Sequence, residues 1–197
     1  MKNRIFASVL VALAALLSAC AGTDFVRPAE GVLVLGKSTQ ADVTAKMGSP
    51  YQTGDLTKNE KQLKVAHYAY ASTGGESAYP EVTPARVMAF TFYNDTLTNQ
   101  EFISSFKQDS TDFDGSKVPS IVKGKSTSAE VIALFGKPTG EAIYPVIKGM
   151  DDRAYIYSYS QAKGSVFNMK FQQKSLAVSF NGAGVVTDVE YVSTGDR

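Results

Sequence analysis

Apolar and polar positions follow two periods along this chain, and the succession of periods occurs twice. Val43 and Met47 stand four apart on one helical face, and Val131, Leu134 and Phe135 share the matching face of a second segment, the spacing of an amphipathic helix. Both segments are punctuated alike. Gly36-Lys37-Ser38-Thr39 precedes the first and Gly124-Lys125-Ser126-Thr127 the second, each with a carboxylate three residues past the threonine, Asp42 or Glu130. That spacing is a capping box: the hydroxyl accepts an orphan amide of the first turn while the carboxylate reaches back to the cap. Gly48 and Gly136 supply a stop, and Pro50 and Pro138 forbid continuation. The apolar lead-ins over 31–35 and 119–123 predict a turn or brief helix whose Leu33 or Ile121 packs onto the helix that follows.

Beyond each helix the period drops to two. Residues 65–71 and 154–160 carry alternating tyrosines, 87–93 and 175–181 follow, and turns at Asn94-Asp95 and Asn181-Gly182 lead into third strands over 96–105 and 185–193. The run 166–171 alternates as well and extends a hairpin of the second unit, whereas the polar stretch after Pro50 reads as a loop. A helix of about ten residues is marginal alone, so each apolar stripe needs a sheet. The expected fold class is therefore α+β: two tandem repeats, each a helical layer (short helix plus capped helix) packed on a three- to four-stranded antiparallel sheet. Val43, Met47, Phe90 and Phe92 are the expected core of one repeat, and Val131, Leu134, Phe135, Val178 and Phe180 that of the other. The tyrosine rows read as core beneath the helices or, alternatively, as an exposed aromatic strip for binding.

The N-terminus changes the picture of location. Lys2 and Arg4 form a basic start, 5–17 is an apolar run too short to span comfortably, and Leu17-Ser18-Ala19-Cys20 closes it. This tetrapeptide resembles a bacterial lipobox, which implies cleavage before Cys20 and acylation of that residue, palmitate included. The other reading is an ordinary signal peptide cut near Ala19 with a spare thiol. In Gram-negative lipoproteins an Asp after the Cys favours inner-membrane retention; Ala21 stands here, so the expected location is the outer membrane, lipid-anchored and facing the periplasm. The domain reading is signal peptide 1–19, first repeat with its tether 20–108, and linker with second repeat 109–197, the linker being the acidic, apolar-poor segment 107–117. Removal of 1–19 leaves 18 basic residues against 19 acidic, a balance that points to no polyanion partner and no nucleic acid.

The repeated Gly-Lys-Ser-Thr-x-x-Glu-Val-x-x-Leu-x-Gly-x-Pro pattern of residues 124–138, the alternating tyrosines over 155–159, and the Leu-x-Val-x-Phe-Asn-x-x-Gly-Val-Val-Thr-Asp run of 176–188 resemble the SmpA/OmlA (BamE-like) family of outer-membrane lipoproteins. The first repeat matches more weakly, since Phe92-Tyr93-Asn94-Asp95 lacks the Phe-Asn-x-x-Gly turn. The resemblance implies two helices on a three-stranded antiparallel sheet and a role in outer-membrane β-barrel assembly. The same fold is similar to each half of the tandem β-lactamase inhibitor proteins.

Candidate chemistry is sparse. Residues 31–38 satisfy the phosphate-loop pattern, but no buried strand ends at Gly31, Val32–Leu35 favours burial over exposed amides, and the second copy keeps Gly124-Lys125-Ser126 while placing Pro119 at the first glycine; no nucleotide is expected. His67 is the only histidine and Cys20 the only cysteine, which argues against metal or triad chemistry and for no cofactor. Asp109, Asp112 and Asp114, like Asp151-Asp152, lack the glycine and terminal glutamate of a calcium loop and read as solvated charge. With the tyrosines inward, the opposite sheet face would carry Val65, His67, Ala69, Thr91 and Tyr93 in one repeat and Ile156, Ser158, Ser160, Ala177 and Ser179 in the other. Apolar, small and hydroxylated side chains suit protein contact, and these residues are the candidate protein-binding surface. The expected function is a non-enzymatic envelope lipoprotein that binds protein in outer-membrane assembly or maintenance. The alternative is an inhibitor of a secreted or periplasmic enzyme.

Overall fold

The computed structural model describes residues 22–165 and 167–195; Cys20 and the segment before it lie outside them, as does Val166. Helices α1 (Gln40–Met47) and α2 (Ser128–Phe135) form where the capping boxes place them. In α1 the Asp42 amide donates to Thr39 Oγ1 at 3.2 Å and the Thr39 amide to Asp42 Oδ2 at 2.8 Å; in α2 the matching distances for Glu130 and Thr127 are 3.3 and 2.7 Å. Gly48 and Gly136 end them at the same φ of 80°. Val43 and Val131 are fully buried, while Met47, Leu134 and Phe135 pack partly buried against the same cores. The first lead-in is a run of turns with Leu33 and Leu35 buried; in the second the 3-10 helix η1 (Gly115–Ser120) begins four residues before the expected 119–123, and a turn follows buried Ile121.

The Gly-Lys-Ser-Thr motif turns out to be a lash between helix and sheet. The Gly36 amide donates to the Leu97 carbonyl and the Leu97 amide returns a bond to the Ser38 carbonyl, both at 2.8 Å; Gly124, Val186 and Ser126 repeat this at 2.8 and 2.9 Å. The Ser38 and Ser126 hydroxyls accept from the amides of Val34 and Val122. Amides committed in this way cannot cradle a phosphate.

Two separate helix-on-sheet repeats, the expected fold class, do not form. The strands β1 (Gln52–Lys58), β2 (Lys61–Ala71), β3 (Ala85–Tyr93), β4 (Thr96–Ser104), β5 (Gly140–Ile143), β6 (Arg153–Lys163), β7 (Lys170–Phe180) and β8 (Val186–Thr194) make one antiparallel sheet in sequence order. Two strands were hidden in the sequence. The polar stretch after Pro50 is β1, exposed throughout, and its hairpin closes on Asn59 and Glu60 at φ 46° and 62°, the left-handed pair of a two-residue hairpin turn. The four-residue β5 does more: Asn99↔Ala142 and Glu101↔Gly140 tie it to β4, and Gly140↔Ile156 ties it to β6. It welds the strands of the first half to those of the second. Gly140 permits this, because a Cβ there would meet the Gln100 carbonyl oxygen at 2.4 Å.

Both helices lie on one face. Leu33, Val43, Tyr68, Phe90 and Leu97 form one cluster and Val131, Tyr157, Leu176, Val178 and Val186 the other. The tyrosine rows thus point under the helices, and two of them bond the helix ends: Tyr68 Oη donates to the Gly48 carbonyl at 2.9 Å and Tyr157 Oη to that of Gly136 at 3.0 Å. The segment 107–117, expected as a solvated linker, is a packed strap. Thr111 and Phe113 are buried, and Thr111 Oγ1 donates to the Ser158 carbonyl at 2.7 Å.

Candidate functional site: a groove on the helix-free face

Strand pairing lets the other face be read row by row. One row joins His67, Ala89, Glu101, Gly140, Ile156, Ala177 and Glu190. The next joins Val65, Thr91, Asn99, Ala142, Ala154 and Ser179. Glycine and alanine in the middle of both rows keep the floor low. Leu56 and Lys58 of β1 line the same groove as Glu190 and Val192 of β8, so the sheet curls until its two edge strands become walls, the accumulated twist of eight strands. The groove holds about 530 Å³. Val146 and Ile147 cap one end, held there because Asn59 Nδ2 donates to the Pro145 and Ile147 carbonyls at 2.9 and 3.0 Å.

The charge in this groove is unbalanced. Glu101 and Glu190 face it with Lys58 as the one permanent cation among its lining residues, while Asp55, opposite Lys64 in the strand pairing, turns to the helix side. Glu190 is already paired, 2.7 Å from Lys148 Nζ. Glu101 is not: among the described residues no cation pairs with it. It stands on β4 between β3 and β5, and burial pushes its carboxyl above the usual range, with the neighbouring Ser158 side chain working weakly against this.

Of the residues expected on this face, Val65, His67, Thr91, Ile156 and Ala177 line the groove. Ala69 lies farther along β2, where Gly22 bridges the neighbouring Tyr70. Tyr93 lies past the register shift at Thr91/Phe92. Ser158 and Ser179 are buried, the Ser158 hydroxyl donating to Ser175 Oγ at 3.0 Å, and Ser160 is half-buried opposite Gln173. The sequence reading missed Asn99, Glu101 and the β1 and β8 walls. With β5 unseen, residues 96–105 read as an edge strand, where an acid is ordinary; in a central strand a carboxylate stands out. His67 and Glu101 are two strands apart, about 9.6 Å between backbones, and the hydroxyl of Thr91 is engaged by Asn99 Nδ2 at 3.4 Å.

The acidic segment binds elsewhere. Asp109 accepts from Ser104 Oγ, Asp112 lies 2.5 Å from the buried Lys174 Nζ, and Asp114 caps Ser116. Lys174 also donates to the Phe113 carbonyl and sits 4.7 Å over the Phe113 ring, so this buried cation is satisfied. Cys20 falls outside the described residues, and among those described no helix is long and apolar enough to cross a membrane.

No protein-family model matches the chain, and no curated protein matches it; the SmpA/OmlA resemblance stands on the motif residues alone. A solved structure is similar to it: a candidate β-lactamase inhibitor protein from Streptococcus mutans, 10% identical, with 82% of this chain and 90% of that one covered at a TM-score of 0.38. The likeness is too distant to carry function across.

Proposed function

We propose that this chain is a non-enzymatic lipoprotein of the bacterial outer membrane, anchored through acylated Cys20, that binds a protein partner in the groove of its curled sheet and presents Glu101 to a lysine or arginine of that partner. The observation that carries the reading is Glu101 itself: a carboxylate without a cationic partner among the described residues, on a central strand, at the floor of a groove with an excess of acid. Holding such a group costs stability unless something pairs with it. A partner's cation reverses that cost, and apolar Val65, Ile156 and Ala177 around it supply a dry surround. Outer-membrane assembly or maintenance is the setting the lipobox and the repeat motif favour.

Crosslinking recovery from the native envelope tests this. Glu101→Gln keeps the shape and removes the charge, and should weaken recovery by about thirtyfold, the lower end for truncating one member of a buried charge pair. Val192→Arg, on an exposed part of the wall, should weaken it as well. Undiminished recovery in both variants, with folding unchanged, would move the contact surface off the groove. The recovered partner decides the setting: barrel-assembly subunits support the assembly role, and a hydrolase inhibited by the purified chain replaces it with inhibition.

A further inference from the structure

Away from the groove, the hairpin joining β6 to β7 carries an uncovered apolar tip. Phe167 is 96% exposed, Phe171 66% and Met169 40%. At its described residues Gly164 takes φ 104° where a Cβ would meet the Asn168 carbonyl oxygen at 2.4 Å, and the Asn168 amide donates to the Ser165 carbonyl at 3.0 Å. Its base is buttressed by the segment before β3. Gly164 donates to the Glu81 carbonyl and Thr83 to that of Ala162, both at 3.0 Å, and Lys163 pairs with Glu81 at 3.6 Å. The fold therefore holds up a hairpin whose Phe167, Met169 and Phe171 stand exposed beyond its buttressed base.

Its direction matters. His67 and Ile156 lie in one row of the sheet. From that row Tyr70 is three residues along β2 and Lys163 seven along β6 in the same sense, so the hairpin base runs four residues of strand past the level of Tyr70. Gly22 bridges Tyr70 in antiparallel sense, so the chain arrives at Gly22 from the end to which the hairpin points. Cys20 is two residues earlier, a span of about 7 Å at most. A lipid on Cys20 brings this end of the sheet to the bilayer.

We propose that the β6–β7 tip is a membrane-contact element: Phe167, Met169 and Phe171 enter the interfacial layer of the bilayer that holds the lipid anchor, with exposed Lys170 among the headgroups. Exposed aromatic and aliphatic side chains gain from leaving water, and a lysine beside them suits anionic lipid. This goes beyond the groove reading and rests on acylation of Cys20 for its orientation. The projecting tip and the anchor then fix how the protein stands on its membrane.

The chain has no tryptophan, so Phe167→Trp supplies a single reporter at a site where it cannot disturb packing. The acylated full chain and an unacylated mature chain carrying Cys20→Ala are each mixed with phosphatidylethanolamine/phosphatidylglycerol vesicles, with and without brominated acyl chains. The expected result is blue-shifted emission quenched by bromine in both, the unacylated chain needing more lipid, and Phe171→Asp lowering its vesicle affinity by about tenfold. Met150→Trp, exposed in the loop at the opposite end of the sheet, should stay water-like. Unquenched emission from position 167 in the acylated chain, or equal quenching at 167 and 150, overturns the proposal; so does a response to a protein partner in the absence of lipid. If intact mass finds no acyl group on Cys20, the anchor reading fails separately, and the unacylated chain alone decides the tip.

Discussion

At the scale of single residues, Glu101 ties stability to binding. Burial disfavours the charge and pushes its carboxyl above its ordinary value of 4.5. Between 4.5 and the raised folded value the native state holds a proton that the unfolded state has lost, so stability falls as pH rises through that window and stays reduced above it. Glu101→Gln escapes this. The variant should melt above the wild type at pH 7 and coincide with it below 4.5, with each kcal/mol worth roughly 2–4 °C for a chain of this size. Identical melting profiles across pH would mean that the carboxyl is hydrated. The tyrosines bonded to the helix ends give a second test. Tyr157→Phe removes one hydrogen bond to the Gly136 carbonyl without a cavity and should cost about 1 kcal/mol in urea unfolding, with Tyr68→Phe costing the same at Gly48.

At the scale of elements, legibility in the sequence followed locality. Each helix is specified within about ten residues, and capping box, buried valine and glycine stop all stand where the repeat put them. Thr127→Ala should therefore cost about 1 kcal/mol. Phe135→Ala should cost about 2–3 kcal/mol, less than a fully buried phenyl, because Phe135 is half-buried against Tyr157 and Phe113 at 5.4 and 6.1 Å. Chemical unfolding of the two variants checks both values. The strands that went unread lack local signals. In β1, Gln52–Lys58 has no buried side chain and hence no alternation, and its hairpin depends on an Asn-Glu pair outside the usual glycine-containing turns. In β5, four residues stand alone and gain their meaning from Gln100 and Ile156, far off in sequence. The candidate face suffered accordingly. Val65, His67, Thr91, Ile156 and Ala177 were found from alternation, but Glu101 could not be, since its significance comes from a neighbour strand that no pattern announced.

At the scale of the whole molecule, the question is whether two similar halves behave as one. The strands run without a break from β1 to β8, the strap 107–117 packs Thr111 against both Ser104 of β4 and Ser158 of β6, and the groove takes walls from the first and last strands. Independent halves would have none of these. A groove built from both halves keeps its shape only if they stay joined, which ties cooperativity to binding. The chain should accordingly unfold in one transition, with calorimetric and van't Hoff enthalpies equal. Gly140→Val is the sharpest perturbation. Its side chain would be driven into the Gln100 carbonyl at the β4–β5 seam, while the helix cores around Val43 and Val131 lie on the other face and keep their contacts. The expected outcome is a loss of several kcal/mol, about 2–4 for an overpacked site that must also give up sheet pairing, with the single transition splitting in two and partner recovery falling with it. A variant that still melts in one step and binds normally would show that the seam is dispensable and that each half carries its own share of the site.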